Sequence, residues 1–193
     1  MRVFIAIDLP SSIRRELERK QDALRAALSS GPSREDQEIR WVRPEAIHLT
    51  LKFLGEISEP ELERLIEHLR RLGPFEAFPV EVSGFGFFPD ARRPRVLWAG
   101  VTASPPLLAL AAKVEAAAAG SGFEIRPFRP HLTLARFRSS RPQSILEVIA
   151  KREEDASMGR FMVSEFAVFE SKLSKTAAPE YRKLAVIPEQ RRL

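Results

Sequence analysis

The tetrapeptide His48-Leu49-Thr50-Leu51 returns 83 residues later as His131-Leu132-Thr133-Leu134, in a chain of 193 residues that has only 3 histidines. With Leu near ~10% and Thr near ~5% of ordinary composition, finding Leu-Thr-Leu after two of the three has chance odds on the order of one in a million. Each copy is approached through an Arg-Pro pair, Arg43-Pro44 and Arg129-Pro130, and each lies in a strand-like run. The chain therefore carries a duplication or a matched pair of sites. On a strand, residues i and i+2 share a face, so His48 and Thr50 point one way, as do His131 and Thr133, while the leucines point the other way and anchor.

Around the two motifs, helical and strand-like periods interleave. Helical spacing runs through Ile13, Leu17, Leu24 and Leu28 until Ser29-Ser30-Gly31-Pro32 ends it. A capping box at Ser58-Glu59-Pro60-Glu61 opens a second helix with Leu62, Leu65, Ile66, Leu69 and Leu72 on its inner face. A third follows Ser104-Pro105-Pro106 through Leu107, Leu110, Ala111, Val114 and Ala118 to Gly120. A shorter fourth begins near Pro142 and includes Ile145, Leu146 and Ile149. Strand-like runs occupy 2 to 8, 47 to 54, 79 to 87, 95 to 102, 130 to 137, 160 to 170 and 181 to 187. This interleaving indicates an α+β or α/β fold. Long loops are expected at 31 to 40, 88 to 94 and 171 to 180.

Composition narrows the chemistry. At 44% hydrophobic and 30% charged, the chain has the make-up of a soluble globular protein, so disordered and fibrous classes drop out. No apolar run reaches the ~20 residues that span a bilayer, and the opening segment, broken by Asp8 and Pro10, reads as a strand rather than a signal peptide. Zero cysteines exclude disulfides, thiolate nucleophiles and sulfur-ligated metal, in keeping with a cytoplasmic protein. The net charge is +5, and its cations are 24 Arg against 7 Lys. Arginine's planar fork matches phosphate oxygens two at a time. A GC-rich genome or a heat-adapted host would give the same excess, so basicity permits a nucleic-acid partner without requiring one.

The repeated pairs suit phosphoester chemistry. Imidazole titrates near neutrality, so one ring can accept a proton while the other donates one across a phosphorus atom. The threonine hydroxyls can donate to the non-bridging oxygens, and Arg136 and Lys52 stand close enough in sequence to add positive charge. Such a set needs neither a metal nor a cofactor, and two histidines alone make a poor zinc site. A single strand histidine is usually structural, and only the repetition argues otherwise. His68, on the second helix away from its leucine face, has no repeat partner and is expected in solvent. The stretch Phe85-Gly86-Phe87-Phe88 reads first as core and turn, second as a base-stacking platform.

At these residues the chain resembles the two-histidine phosphoesterase superfamily, and within it the RNA 2',3'-cyclic phosphodiesterases, also described as 2'-5' RNA ligases. The resemblance extends from Arg2-Val3-Phe4-Ile5-Ala6-Ile7-Asp8-Leu9-Pro10 through His48-Leu49-Thr50-Leu51-Lys52-Phe53-Leu54-Gly55, Gly84-Phe85-Gly86-Phe87-Phe88-Pro89 and Pro94-Arg95-Val96-Leu97-Trp98. It continues in Pro130-His131-Leu132-Thr133-Leu134-Ala135-Arg136 and in Glu170-Ser171-Lys172-Leu173 with Pro179-Glu180-Tyr181. One departure is Ala177-Ala178 ahead of Pro179, where members often carry glycine.

The resemblance implies an α+β fold spanning residues 1–193 as one bilobal domain with an internal duplication, two pseudo-symmetric antiparallel sheets with flanking helices and a central cleft. It implies hydrolysis of RNA 2',3'-cyclic phosphate ends to 2'-phosphomonoesters, with His131 as general base, His48 as general acid, and Thr50, Thr133 and Arg136 on the phosphate. An RNA 5' hydroxyl in place of water would give a 2'-5' linkage without ATP. Expected partners are RNA with a cyclic-phosphate end, tRNA fragments among them, with no membrane, no cofactor, no metal and a monomeric chain. A phosphodiesterase for another cyclic nucleotide or a sugar cyclic phosphate, and a non-catalytic RNA-binding module, stand as alternatives. Two points await the fold: strict alternation puts Arg136 on the face opposite His131 unless a bulge or the end of the strand turns it, and the arginine excess is expected around the cleft.

Overall fold

Both faces of the first strand are covered, which is why its sequence shows no alternation. Strand β1 (Arg2–Ile7) buries Val3, Ile5 and Ile7 in the main core, while Phe4 and Ala6 form a smaller cluster with Ala167 and Phe169. The computed structural model describes residues 1–29, 39–139, 144–152, 156–172 and 180–188. After β1 come α1 (Ser11–Ser29), β2 (Ile39–Trp41), a short 3₁₀ turn (Pro44–Ala46), β3 (Leu49–Glu56), α2 (Glu59–Arg70), β4 (Phe78–Phe88) and β5 (Val96–Val101). The remainder is α3 (Pro105–Gly120), β6 (His131–Phe137), α4 (Ser144–Arg152), β7 (Ser157–Val163), β8 (Phe166–Lys172) and β9 (Glu180–Ile187).

The helices follow their periodicity. Ile13, Leu17, Leu24 and Leu28 of α1 are buried, as are Leu107, Leu110, Ala111, Val114 and Ala118 of α3. The α2 capping box forms: the Ser58 amide and hydroxyl both donate to the Glu61 carboxylate, at 2.8 and 2.7 Å. In α4, Leu146 is buried, whereas the expected start at Pro142 and the alanines before Pro179 lie outside the described residues.

Three expectations change. The run 160 to 170 is two strands, because at Ser164-Glu165 the chain passes from one half of a single sheet to the other: β7 pairs with β4 and β8 with β1. Residues 39 and 40, the end of the loop expected at 31 to 40, instead form β2 with Trp41 against β6. His68 is half-buried rather than in solvent, its Nδ1 on the Ser121 hydroxyl at 2.8 Å, which ties α2 to the end of α3.

All strand pairs are antiparallel, in the order β7-β4-β5-β6-β3-β1-β8-β9, with β2 attached to β6. The result is an α+β fold with two four-stranded halves, β7-β4-β5-β6 and β3-β1-β8-β9. They meet between the two motif strands through one registered pair, Leu49 opposite Leu132. The order β1-α1, β3-α2 recurs as β5-α3, β6-α4.

Both motif strands carry a bulge just after the threonine. On β3, Thr50 pairs with Ala6 and Lys52 with Ile5, which leaves Leu51 extra. On β6, Thr133 pairs with Trp98 and Ala135 with Leu97, which leaves Leu134 extra. An extra residue shifts the later side chains to the other face. Leu51 and Lys52 are therefore both buried, as are Leu134 and Ala135, while Phe53 and Arg136, each five residues after its histidine, are exposed. The tension over Arg136 resolves in this way.

A bulge frees a carbonyl from the ladder, and α1 supplies a partner for it. The Leu134 oxygen accepts the Val42 amide at 2.8 Å and the Gln21 Nε2 at 2.9 Å; the same Nε2 donates to the Val42 oxygen at 2.8 Å. Gln21 is 0% exposed. Gln21→Leu is expected to cost about 1–3 kcal/mol by stranding the Val42 carbonyl, read as a lower urea midpoint at unchanged slope. An unshifted midpoint would show that water replaces the amide without penalty.

Candidate active site

The single rung between the halves sets the site. With Leu49 facing Leu132, antiparallel register puts His48 across from Thr133 and Thr50 across from His131. Side chains at opposite register positions share a face. The two imidazoles thus take diagonal register positions and the two hydroxyls the other diagonal, on one face, where a phosphate between them can be reached from both sides.

Each ring is oriented by its own backbone. His48 Nδ1 lies 2.8 Å from the Ala46 oxygen, and His131 Nδ1 lies 2.6 Å from the Arg129 oxygen, both two residues upstream. A carbonyl only accepts, so each Nδ1 carries its hydrogen and each Nε2 is left as the basic nitrogen. The Pro-containing approaches supply these carbonyls: the Pro44–Ala46 turn before His48 and Arg129-Pro130 before His131.

The surroundings differ from ring to ring. His48 stacks on Phe4, centroids 4.5 Å apart at 25°, and meets the edge of Tyr181 at 5.2 Å. Burial pushes its pKa down to about 4; Arg136 and His131 push the same way, and the Ala46 bond and the Asp8 carboxylate oppose them. Among the described aromatic rings His131 meets Phe88, edge-on at 4.8 Å, and it too is held below the usual histidine range, first by burial and then by Arg136. Burial raises the Tyr181 phenol against the pull of Arg136 and Arg2.

Arg136 therefore acts on both rings and on Tyr181, and the structure brings all five expected residues, His48, Thr50, His131, Thr133 and Arg136, to one face. Lys52 does not join them. It is 3% exposed, its Nζ bonded to Glu115 and to the Glu124 carbonyl, because the bulge at Leu51 turns it inward. The sequence reading also missed Arg40, which sits directly across from Arg136 in the β2–β6 register but fell within an expected loop. Phe53 carried a signal that was not used: it is offset from His48 as Arg136 is from His131.

A cavity of about 450 Å³ opens from Thr50 and His131. Phe53, Phe88, Pro89 and Phe128 wall it, Arg95, Arg126 and Arg129 rim it, and the Lys52–Glu115 pair closes one side. Phe88, from the aromatic stretch, faces this space while Phe85 is buried. Gly86 leaves room for the Trp98 indole, which a Cβ there would overlap.

Comparison with known proteins fits this geometry. The model of the LigT-like phosphoesterases matches residues 7–98 and 101–178. The chain is 31% identical over 188 residues to the RNA 2',3'-cyclic phosphodiesterase of Methanothermobacter thermautotrophicus, covering 96% of this chain and 97% of that one. It is 33% identical over 187 residues to that of Archaeoglobus fulgidus, with 96% and 99% covered. Among solved structures, a protein of Thermus thermophilus superposes with a TM-score of 0.74 at 30% identity over 96% of both chains. Escherichia coli LigT complexed with 3'-AMP gives 0.72 at 28%, covering 96% and 95%. The match spans both motif strands and nearly everything between and around them, and the chain belongs to the LigT-like phosphoesterase family.

Proposed function

We propose that this chain acts as an RNA 2',3'-cyclic phosphodiesterase, the activity for which its relatives are named, and opens the ring to a 2'-phosphomonoester and a free 3' hydroxyl. The observation that carries the reading is the diagonal pair of imidazoles, each with its Nδ1 hydrogen committed to a carbonyl and its Nε2 available. His131 Nε2 takes a proton from water as the water oxygen bonds to phosphorus. His48 Nε2 gives a proton to the departing 3' oxygen as its bond to phosphorus breaks. Thr50 and Thr133 donate to the non-bridging oxygens, and Arg136, with Arg40 across from it, balances their charge. His48 as acid and His131 as base follow the family resemblance; with burial holding the free His48 ring near 4, the negative charge of a bound phosphate is what draws a proton onto it. An RNA 5' hydroxyl in place of water would use the same groups to form a 2'-5' linkage. The two bulged motif strands are read as copies from an internal duplication.

His48→Ala and His131→Ala are each expected to lower kcat by about 10²–10⁴-fold, and Thr50→Val or Thr133→Val by roughly 10², on an RNA with a cyclic-phosphate end. EDTA should change nothing. Wild-type rates after either histidine change, with circular dichroism intact, would leave an RNA-binding role instead.

The pH dependence has a definite sign. Unfolded, His48 binds its proton near 6.5; folded, near 4. Between these values the unfolded chain holds more protons, so the stability this ring contributes is complete above pH 6.5 and is lost as pH falls toward 4. His48→Gln should flatten that part of the urea-midpoint profile. A phosphate anion in the cleft offsets the cost of charging the ring, so binding of a 2'-nucleotide at pH 6 should take up protons. Calorimetry in two buffers of different ionisation enthalpy reads this uptake, and identical heats in both would refute it.

A further inference from the structure

The cleft is closed at one end and open at the other. At the His48 end, Phe4, Phe169 and Tyr181 pack around the ring, and several of the nearby charges are paired: Asp8 with Arg14 and Lys183, Glu170 with Arg182. At the His131 end lies the 450 Å³ cavity. Two of its rim cations are compensated, Lys52 by Glu115 and Arg126 by Glu124 at 3.0 Å. Arg95 and Arg129 are exposed, and among the described residues neither has an acidic partner.

The aromatic walls and the two guanidiniums without acidic partners offer what a single strand of nucleic acid takes: flat apolar surfaces for bases and cations for phosphates. The β4–β5 loop extends this charge. Asp90 Oδ1 accepts the Arg92 and Arg93 amides at 2.8 and 3.0 Å, which folds the loop so that both side chains are exposed beside Arg95. Arg95 itself is fixed at the loop's base by its amide on the Phe88 oxygen at 2.7 Å and its oxygen on the Phe137 amide at 3.1 Å.

Building on the phosphodiesterase reading, we propose that the strand leaves the reaction centre through this cavity, with Arg95 and Arg129 binding the phosphate that joins the terminal nucleotide to the one before it. The cavity thus makes the enzyme selective for RNA strands over mononucleotides: a nucleoside 2',3'-cyclic phosphate has the reacting group but lacks that bridging phosphate.

The test compares a short oligoribonucleotide ending in a 2',3'-cyclic phosphate with the matching nucleoside 2',3'-cyclic phosphate, using wild type, Arg95→Ala, Arg95→Lys and Arg95→Glu. Arg129 is left intact because its carbonyl orients His131. The wild type should favour the oligonucleotide. Arg95→Ala should raise KM for the oligonucleotide about tenfold, the scale of a charge-assisted hydrogen bond, at constant kcat. Arg95→Glu should lose more, Arg95→Lys should recover part, and mononucleotide turnover should stay at the wild-type level in all three. The log-log dependence of kcat/KM on KCl should become shallower by about 0.7 in Arg95→Ala, the value for one single-strand phosphate contact. Equal losses on both substrates, no loss on either, or a wild type indifferent to strand length would overturn the proposal. A wild type that cleaves neither substrate would instead sink the phosphodiesterase reading beneath it.

Discussion

Everything at the candidate site depends on the rung between Leu49 and Leu132. Both side chains are fully buried, and each lies between the histidine and the threonine of its own motif, so one apolar contact in the core fixes four polar groups on the opposite surface. Alternation does the rest: what the leucines lock below the sheet, the imidazoles and hydroxyls inherit above it. Because the halves share no other registered pair along β3 and β6, the strands diverge beyond the rung and leave a cleft instead of a flat sheet.

The bulges add what strict alternation cannot. A regular β6 would send Arg136 into the core, where an unpaired guanidinium is very costly. One extra residue reverses that, and the carbonyl it frees is met by a helix amide from Gln21, more than a hundred positions away in sequence. On β3 the same device turns a lysine inward and a phenylalanine outward, so the two halves of a near-symmetric site present different side chains at matching positions. Asymmetry of function is thereby built on symmetry of backbone.

Much of this was legible in the sequence, and the exceptions have physical reasons. The repeat, the leucine faces of α1, α2 and α3, and the capping box at Ser58 are local patterns, and they held. That Arg136 had to be turned, by a bulge or by the end of the strand, was also readable, since its match to the family's arginine contradicted simple parity. What could not be read was pairing. The crossing at Ser164-Glu165 and the short β2 depend on which strand lies alongside, not on the residues themselves. Lys52 looked like a phosphate ligand by adjacency to the motif and proved to be buried because of a register shift that no period reveals. The arginine excess separates by surroundings: on the helices Arg19, Arg25 and Arg71 pair with acids three or four residues away, while Arg40, Arg95, Arg129 and Arg136 have no acidic partner among the described residues.

The ion pair of buried Lys52 with half-buried Glu115 also has a thermal consequence. Lys52 holds the Glu124 carbonyl and Glu115 accepts the Arg126 amide at 3.0 Å, so together they fasten the segment that leads through Phe128 and Arg129 to His131. Hiding two ions from water is a penalty that shrinks on heating, as ionic hydration weakens, whereas apolar burial gains little more. The fastening of the cavity wall is thus among the contacts least eroded as temperature climbs. The two ends of that segment's anchoring, Glu124 and Arg126, are therefore tied by the contacts that heat weakens least, although the segment itself lies at the surface.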